Sequence, residues 1–221
     1  MSNSDLLPIV MIGGGGHSAV LADILLKQQR EIIAVISLGD ISNRAVFSGI
    51  TKLSSDEEIK QFDSTRVKLV NGIGMMPRSK LKQQVNETYI ALGYEFETVI
   101  SNEAVVSKYA DVGVGTQIFP GAIVQPGVVI GPHSIVNTGA VIEHDCRIGA
   151  YNHIAPRATL CGQVQLQDNV YVGAGATIIQ RIRLAQGCVV GAGSTILKNV
   201  ARNTLVYTAG PNKSKLVEYD K

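Results

Sequence analysis

From Val99 to Val200 the chain can be written in sixes: VISNEA, VVSKYA, DVGVGT, QIFPGA, IVQPGV, VIGPHS, IVNTGA, VIEHDC, RIGAYN, HIAPRA and on to TILKNV. The second residue of all seventeen is Ile, Val or Leu, and the last is usually Ala, Ser, Cys, Thr or Val. An α-helix turns about 100° per residue and would send this set to different sides of the cylinder. A chain that turns a corner every six residues keeps it on one side. Three such sides make a coil of about eighteen residues, with aliphatic side chains stacked inward and small residues at the corners, which is a hexapeptide β-helix. The stretch provides between five and six coils.

Residues 8–98 follow a different rhythm. "PIVMI" reads as a buried strand, "GGGGH" as a turn, and "SAVLADILLKQQR" as a helix with Val20, Ile24 and Leu25 among its apolar positions. "EIIAVIS" is a second strand, "VKLVNGIG" a third ending in a glycine-bearing turn, and "RSKLKQQVNETYIALG" a helix closed by Gly93. Strand, helix, strand in this order predicts a small parallel sheet whose sites lie at the carboxyl ends of its strands. The expected plan is an α/β, Rossmann-like domain over residues 1–98, an all-β helix of hexapeptides over 99–206, and a C-terminal tail over 207–221.

The 221 residues carry 20 basic and 18 acidic side chains with no dense basic run, which excludes a nucleic-acid footprint. No apolar run approaches membrane-spanning length and the start has no signal-peptide pattern, so a cytoplasmic protein is expected. Cys146, Cys161 and Cys188 have no CxxC spacing and read as reduced thiols, neither disulfide-paired nor zinc-binding.

Two places carry chemistry. In "VIEHDC", His144 stands beside Asp145 and Glu143. An imidazole, with an unperturbed pKa of about 6.5, suits proton removal from an attacking amine or hydroxyl. A carboxylate beside it fixes its tautomer. Adjacent side chains of an extended strand point to opposite faces, so a meeting of His144 with Asp145 requires a corner, or else a histidine of a neighbouring chain. His133 reads as an ordinary surface residue. A zinc site of three histidines from neighbouring chains needs a spacing that His133, His144 and His153 do not have, so no metal is expected.

In "IGGGGH", Gly13, Gly14, Gly15 and Gly16 follow a strand and precede a helix, where backbone N–H groups can cradle phosphates. The strict GxGxxG spacing fails and no acidic residue closes the second strand, so NAD is not expected. A sugar nucleotide needs the same donors. His17 and, at the next strand ends, Asp40, Asn71, Gly72 and Gly74 complete the expected substrate set.

The sixes "RIGAYN", "YVGAGA" and "VVGAGS" resemble those of the left-handed β-helix acyltransferases. With "IGGGGHSAVLADIL", "VNGIG" and "VIEHDCRIGAYNHI", the whole chain resembles the nucleotide-sugar acetyltransferases that modify sialic acid, perosamine or bacillosamine precursors. The resemblance implies a left-handed helix, a homotrimer with sites at subunit interfaces, and acetyl-CoA as co-substrate. It makes His144 the general base oriented by Asp145 or Glu143, and places Asn137 in the acceptor site. His153, Gly162, Ala174, Ala192 and Lys213 become acetyl-CoA contacts, Gly162 through its backbone N–H. Arg181, Arg183 and Lys198 are further candidates for the coenzyme phosphates. The implied acceptor is the 4-amino group of UDP-4-amino-4,6-dideoxy-N-acetylglucosamine. Asp40 of "SLGD" stands where relatives carry an acidic pair, which leaves the nucleotide base open. O-acetylation of a sialic acid or another sugar hydroxyl, and a non-catalytic nucleotide-sugar-binding trimer, are the alternatives.

Overall fold

The computed structural model describes residues 6–209 and 213–217, with side chains through Thr208. The chain divides into two compact units, one built from the residues up to Met75 with Ser79–Val99, the other from Met76–Arg78 and Ile100 onward.

The first unit is a four-stranded parallel sheet. Its strands are β1 (Ile9–Ile12), β2 (Ile32–Ile36), β3 (Thr51–Leu53) and β4 (Lys68–Asn71), in the spatial order β3-β2-β1-β4. β1 is buried along its whole length and β2 nearly so, which is why both read as unbroken apolar runs rather than as alternating ones. β3 is an addition to the sequence reading. Its "TKL" exposes two of three residues at the sheet edge, so it carries almost no hydrophobic signal.

Helices α1 (Gly16–Lys27) and α2 (Leu81–Ala91) complete this unit. Val20 departs from expectation and is exposed, because the buried stripe of α1 is centred on Ser18, Leu21, Ala22 and Leu25, across the helix from it. The core joins Val10, Ile12, Ala34 and Ile36 to Leu69, Tyr89 and Phe96.

The second unit is a left-handed parallel β-helix of two-residue strands, each paired with the strand eighteen residues on. Its first face holds Ile123–Val124, Val141–Ile142, Thr159–Leu160 and their stacked equivalents; its second holds Val129–Ile130, Arg147–Ile148 and Gln165–Leu166. The third holds Ile135–Val136, His153–Ile154 and Tyr171–Val172. The second residue of each pair points inward, so Val124, Ile130, Val136, Ile142, Ile148 and Ile154 all lie in one continuous core. Each such side chain contributes about 1.5–3 kcal/mol on burial, and the stack repeats that gain coil after coil.

Corners are where this fold bears strain. Non-glycine residues adopt positive φ at many of them, including His133 (58°), Asp145 (61°), Arg157 (58°), Gln163 (63°) and Arg181 (62°). Each costs roughly 1–2 kcal/mol. Backbone bonds between coils offset it, as when Asp145 N–H donates to Pro126 O (3.2 Å) and Gln163 N–H to His144 O (2.9 Å).

Asn152, a polar residue at a buried corner position, has partners for both ends of its amide. Its Nδ2 donates to Gly149 O (2.8 Å) and its Oδ1 accepts from Val170 N–H (2.6 Å). The last coil closes sixteen residues on instead of eighteen, with Val190 opposite Val206. Strand Leu205–Ala209 then pairs antiparallel with Lys213–Val217, so part of the expected tail is built into the third face.

Candidate functional site

His144 and Asp145 occupy the turn between the first and second faces. The left-handed backbone of Asp145 swings its carboxylate to the same side as the imidazole, and His144 Nδ1 lies 2.8 Å from Asp145 Oδ2. A carboxylate only accepts, so Nδ1 carries the proton, and in the neutral ring this leaves the lone pair on Nε2. Both side chains are more than half exposed in the single chain, at 58% and 56%. Within one chain the imidazole therefore already has a carboxylate partner. Glu143 precedes them with its backbone N–H committed to Leu160 O (2.9 Å).

Gly162 lies one coil beyond His144. A Cβ added there would sit 2.7 Å from His144 Nε2, so the imidazole rests directly over the glycine backbone. Among the described residues no backbone acceptor meets the Gly162 N–H, and Gly162 O accepts from Arg181 N–H (3.0 Å).

The other coil candidates are not gathered around His144 within one chain. Asn137 follows the third-face strand Ile135–Val136, on the edge between the third and first faces, where its Oδ1 accepts from Thr138 N–H (2.8 Å). Ala174 and Ala192 line that same edge one residue further round, at successive coils, both exposed. His153 lies within the third face, buried, with its ring stacked on Tyr171 at 4.8 Å. Lys213 begins the final strand, and its side chain lies outside the described residues.

His133 is not the surface residue expected. It is buried and stacked on Tyr151 at 5.0 Å, a pairing created by the eighteen-residue coil and invisible at a sequence separation of three hexads. Of the three thiols, all free, Cys146 and Cys188 are buried and Cys161 is half-buried. Burial pushes the Cys146 thiol up to about 11, and its Sγ donates to Cys161 O (3.3 Å).

In the α/β unit the substrate candidates converge at the carboxyl ends of β1, β2 and β4. Gly13 turns with φ of 90° and donates its N–H to Ile36 O (2.7 Å). Gly14 leaves room for Ile41, whose Cγ2 would lie 2.3 Å from an added Cβ, which brings the Asp40 loop against the glycine turn. Around Gly15 and Gly16 nothing comes within 4 Å of such an atom. They open α1, which has no acidic residue in its first turn and no side-chain cap, and the positive end of its helix dipole favours an anion there.

Gly74 approaches His17, and Gly72 packs against Ser18. Asp40 lines a cavity of about 350 Å³ together with Ser42, Arg44 and Lys52. Its carboxylate accepts from Ser42 N–H (2.9 Å) and Ser42 Oγ (2.8 Å), bonds that hold its pKa below the usual carboxylate value. The Asn71 side chain faces inward: it donates to Asn86 Oδ1 (2.7 Å) and accepts from Ile73 N–H (2.8 Å), so it shapes the turn.

Sequence reasoning missed Lys82. It is buried beneath that turn, where its Nζ donates to Asn71 O (2.8 Å) and Ile73 O (3.0 Å) and desolvation lowers its pKa to about 7. Its place in an ordinary amphipathic helix pattern gave no sign of this.

Among the described residues no group of three or more His, Cys, Asp or Glu is placed to hold a metal ion, and no helix is long and apolar enough to cross a membrane.

A parallel α/β unit joined to a left-handed helix of hexapeptides with an exposed, carboxylate-oriented imidazole on one edge defines a class, the hexapeptide-repeat transferases. Within that class the chain is similar to the nucleotide-sugar acetyltransferases, the perosamine N-acetyltransferases among them. It matches the PglD N-terminal domain over residues 8–93 and the bacterial transferase hexapeptide (six repeats) over residues 127–162 and 145–180. GDP-perosamine N-acetyltransferase of Escherichia coli O157:H7 is 32% identical over 96 residues, 43% of each protein, so the match spans less than half the length of that curated relative.

Among solved structures, a mutant perosamine N-acetyltransferase from Caulobacter crescentus, in complex with CoA and GDP-perosamine, superposes with a TM-score of 0.84. It is 26% identical, over 96% of this chain and 97% of that one. The acetyltransferase domain of PglB from Neisseria gonorrhoeae FA1090 gives a TM-score of 0.83 at 26% identity, over 96% and 100% of the chains. That domain is also known in complex with acetyl coenzyme A.

Proposed function

We propose that this protein transfers the acetyl group of acetyl-CoA to the 4-amino group of a nucleotide-linked 4-amino-4,6-dideoxy sugar. The observation that carries the reading is the His144–Asp145 pair, with Nδ1 on the carboxylate, Nε2 above Gly162, and the side chain more than half exposed. Nε2 takes a proton from the amine as the nitrogen attacks the thioester carbonyl. The tetrahedral oxyanion accepts a hydrogen bond from a backbone N–H, for which that of Gly162 is the candidate, and collapse expels the CoA thiolate, which takes up a proton. Asp145 stabilises the imidazolium formed on the way.

The nucleotide part belongs to the α/β unit in this reading. The open start of α1 at Gly15 and Gly16 suits a diphosphate, with His17 and the backbone of Gly13, Gly14, Gly72 and Gly74 beside it; the cavity at Asp40, Arg44 and Lys52 suits the nucleoside. UDP-4-amino-4,6-dideoxy-N-acetylglucosamine is the acceptor suggested by the sequence likeness. GDP-perosamine is a second reading, favoured by relatives whose names carry that substrate. Acetyl-CoA would be held by His153, Ala174, Ala192 and Lys213.

Asn137 and His144 lie on different edges of one prism, so a site using both draws on two chains. That supports a homotrimer with three equivalent interface sites. Anionic, soluble co-substrates fit a cytoplasmic location.

The test is thiol release from acetyl-CoA across UDP-, GDP- and dTDP-linked 4-amino sugars. One of these should be turned over by the wild type and not by His144→Ala, with nucleotide-sugar binding retained. Turnover of only hydroxyl acceptors would shift the reading to O-acetylation, and binding without any thiol release would leave a carrier trimer.

A further inference from the structure

The glycines of the coils fall into three groups by what an added Cβ would strike. At Gly113, Gly131 and Gly173 it would strike the backbone of the next coil within 2.5–2.9 Å, so these are obligatory to the stacking. At Gly121 the nearest atom is 3.8 Å away, and only the positive φ of 71° favours glycine.

Gly127, Gly162 and Gly187 differ from both groups; at Gly187 the added Cβ would lie 2.3 Å from Asn203 Oδ1, away from the His144–Asp145 pair, and only Gly127 and Gly162 face that pair. An added Cβ at Gly127 would lie 2.5 Å from Asp145 Oδ1, and one at Gly162 would lie 2.7 Å from His144 Nε2. Their nearest obstacles are the tips of rotatable side chains, which the fold does not need in any particular place. Gly162 does not even have a positive φ, so no left-handed backbone reserves the position for glycine.

Gly127 stands one coil before Asp145 and Gly162 one coil after His144, on the same edge. The imidazole–carboxylate pair thus sits in a slot whose floor and roof are the two missing side chains. We propose that Gly127 and Gly162 are positioning residues for acetyl transfer: Gly127 seats the Asp145 carboxylate where Oδ2 meets Nδ1, and Gly162 seats the ring so that Nε2 faces the reacting atoms.

The two glycines act differently. A methyl group at Gly127 forces the carboxylate to rotate or withdraw, which breaks the 2.8 Å contact and releases the imidazole to the Nε2–H tautomer, useless as a base at that atom. A methyl group at Gly162 leaves Asp145 alone and tilts the ring, which displaces the base. For Gly162 this role is separate from any contact its N–H makes with a thioester.

The inference rests on His144 being the base, and its test separates the two ideas. The full-length protein is labelled with ¹⁵N at histidine, and the imidazole nitrogen shifts are recorded beside acetyl-transfer kinetics for wild type, Gly127→Ala, Gly162→Ala and Gly121→Ala. Gly121→Ala carries the same backbone strain without the collision and should keep both the Nδ1–H signature of His144 and kcat. Gly127→Ala should lose that signature and about 10²-fold in kcat, with the KM for acetyl-CoA unchanged. Gly162→Ala should keep the signature and lose kcat.

A double-mutant cycle guards against a general folding defect. Gly127→Ala added to Asp145→Ala, and Gly162→Ala added to His144→Ala, should cost nothing further. A Gly127→Ala protein that matches Gly121→Ala in tautomer and rate overturns the proposal, as does full additivity in either cycle. A wild type without acetyl transfer whose tautomer still responds to Gly127→Ala would sink the enzymatic reading and leave the slot standing.

Discussion

The two units hold their candidate polar groups in opposite ways. In the α/β unit the candidate groups also hold the turns together. Asn71 is tied to Asn86 and Ile73, Asp40 to Ser42, and the buried Lys82 amine to two carbonyls of the glycine-bearing turn. In the coils the core is aliphatic and complete without the site, and His144 and Asp145 project from a corner whose left-handed position the next two coils fill with Gln163 and Arg181. One unit uses the same atoms for the fold and the candidate site; the other separates them. Substitutions of the inward coil residues and of His144 should therefore sort cleanly into stability or activity, whereas those at the α/β turns should affect both.

The largest effect that can break this contrast is in the coil core. Ile154→Ala, at a fully buried inward position, should cost about 2–5 kcal/mol in chemical denaturation. His144→Ala should leave the denaturation midpoint unchanged while reducing acetyl transfer by about 10²–10⁴-fold. If His144→Ala destabilised the coils as Ile154→Ala does, the separation of fold and site would be wrong.

A smaller, pH-dependent effect belongs to Lys82. Its pKa is about 7 in the fold and near 10.5 when solvated, so between those values the unfolded chain binds more protons. Stability therefore rises with pH across that window, by up to about 1.4 kcal/mol per pH unit for this one group, and is flat below it. Lys82→Met should abolish this slope, read as the pH dependence of urea unfolding, and should also raise the KM for the nucleotide sugar because the turn loses its two carbonyl anchors. A change in stability with no change in KM would show the turn to be purely structural.

The smallest effect is expected at Asp40→Ala. Exposed and bonded to Ser42 within its own loop, it should shift the KM for the nucleotide sugar by about tenfold or less and leave the KM for acetyl-CoA untouched. An unchanged nucleotide-sugar KM would remove the cavity at Asp40, Arg44 and Lys52 from the binding surface.

Much of this was legible because a coil repeats one environment many times. Seventeen aliphatic positions in register define the core without any knowledge of contacts, and "EHD" stands out against them as chemistry that packing does not require. The α/β unit was legible in outline for a different reason, since strands buried on both faces read as apolar runs. Its details were not. β3 is too short and too exposed to register, Val20 shares the helical spacing of Ile24 but faces away, and Lys82 looks like any surface lysine of an amphipathic helix.

What the amino-acid order determined by itself is the period, the inward set and the presence of an imidazole beside a carboxylate at a corner. Only the tertiary structure decided which groups meet. Asp145 reaches His144 because its backbone is left-handed at that turn, His133 is buried because Tyr151 lies one coil on, and Gly127 and Gly162 matter because they are stacked below and above the pair. The stacked neighbours among these are eighteen residues apart in the chain and a single strand spacing apart in space, and no local pattern records a contact made at that distance.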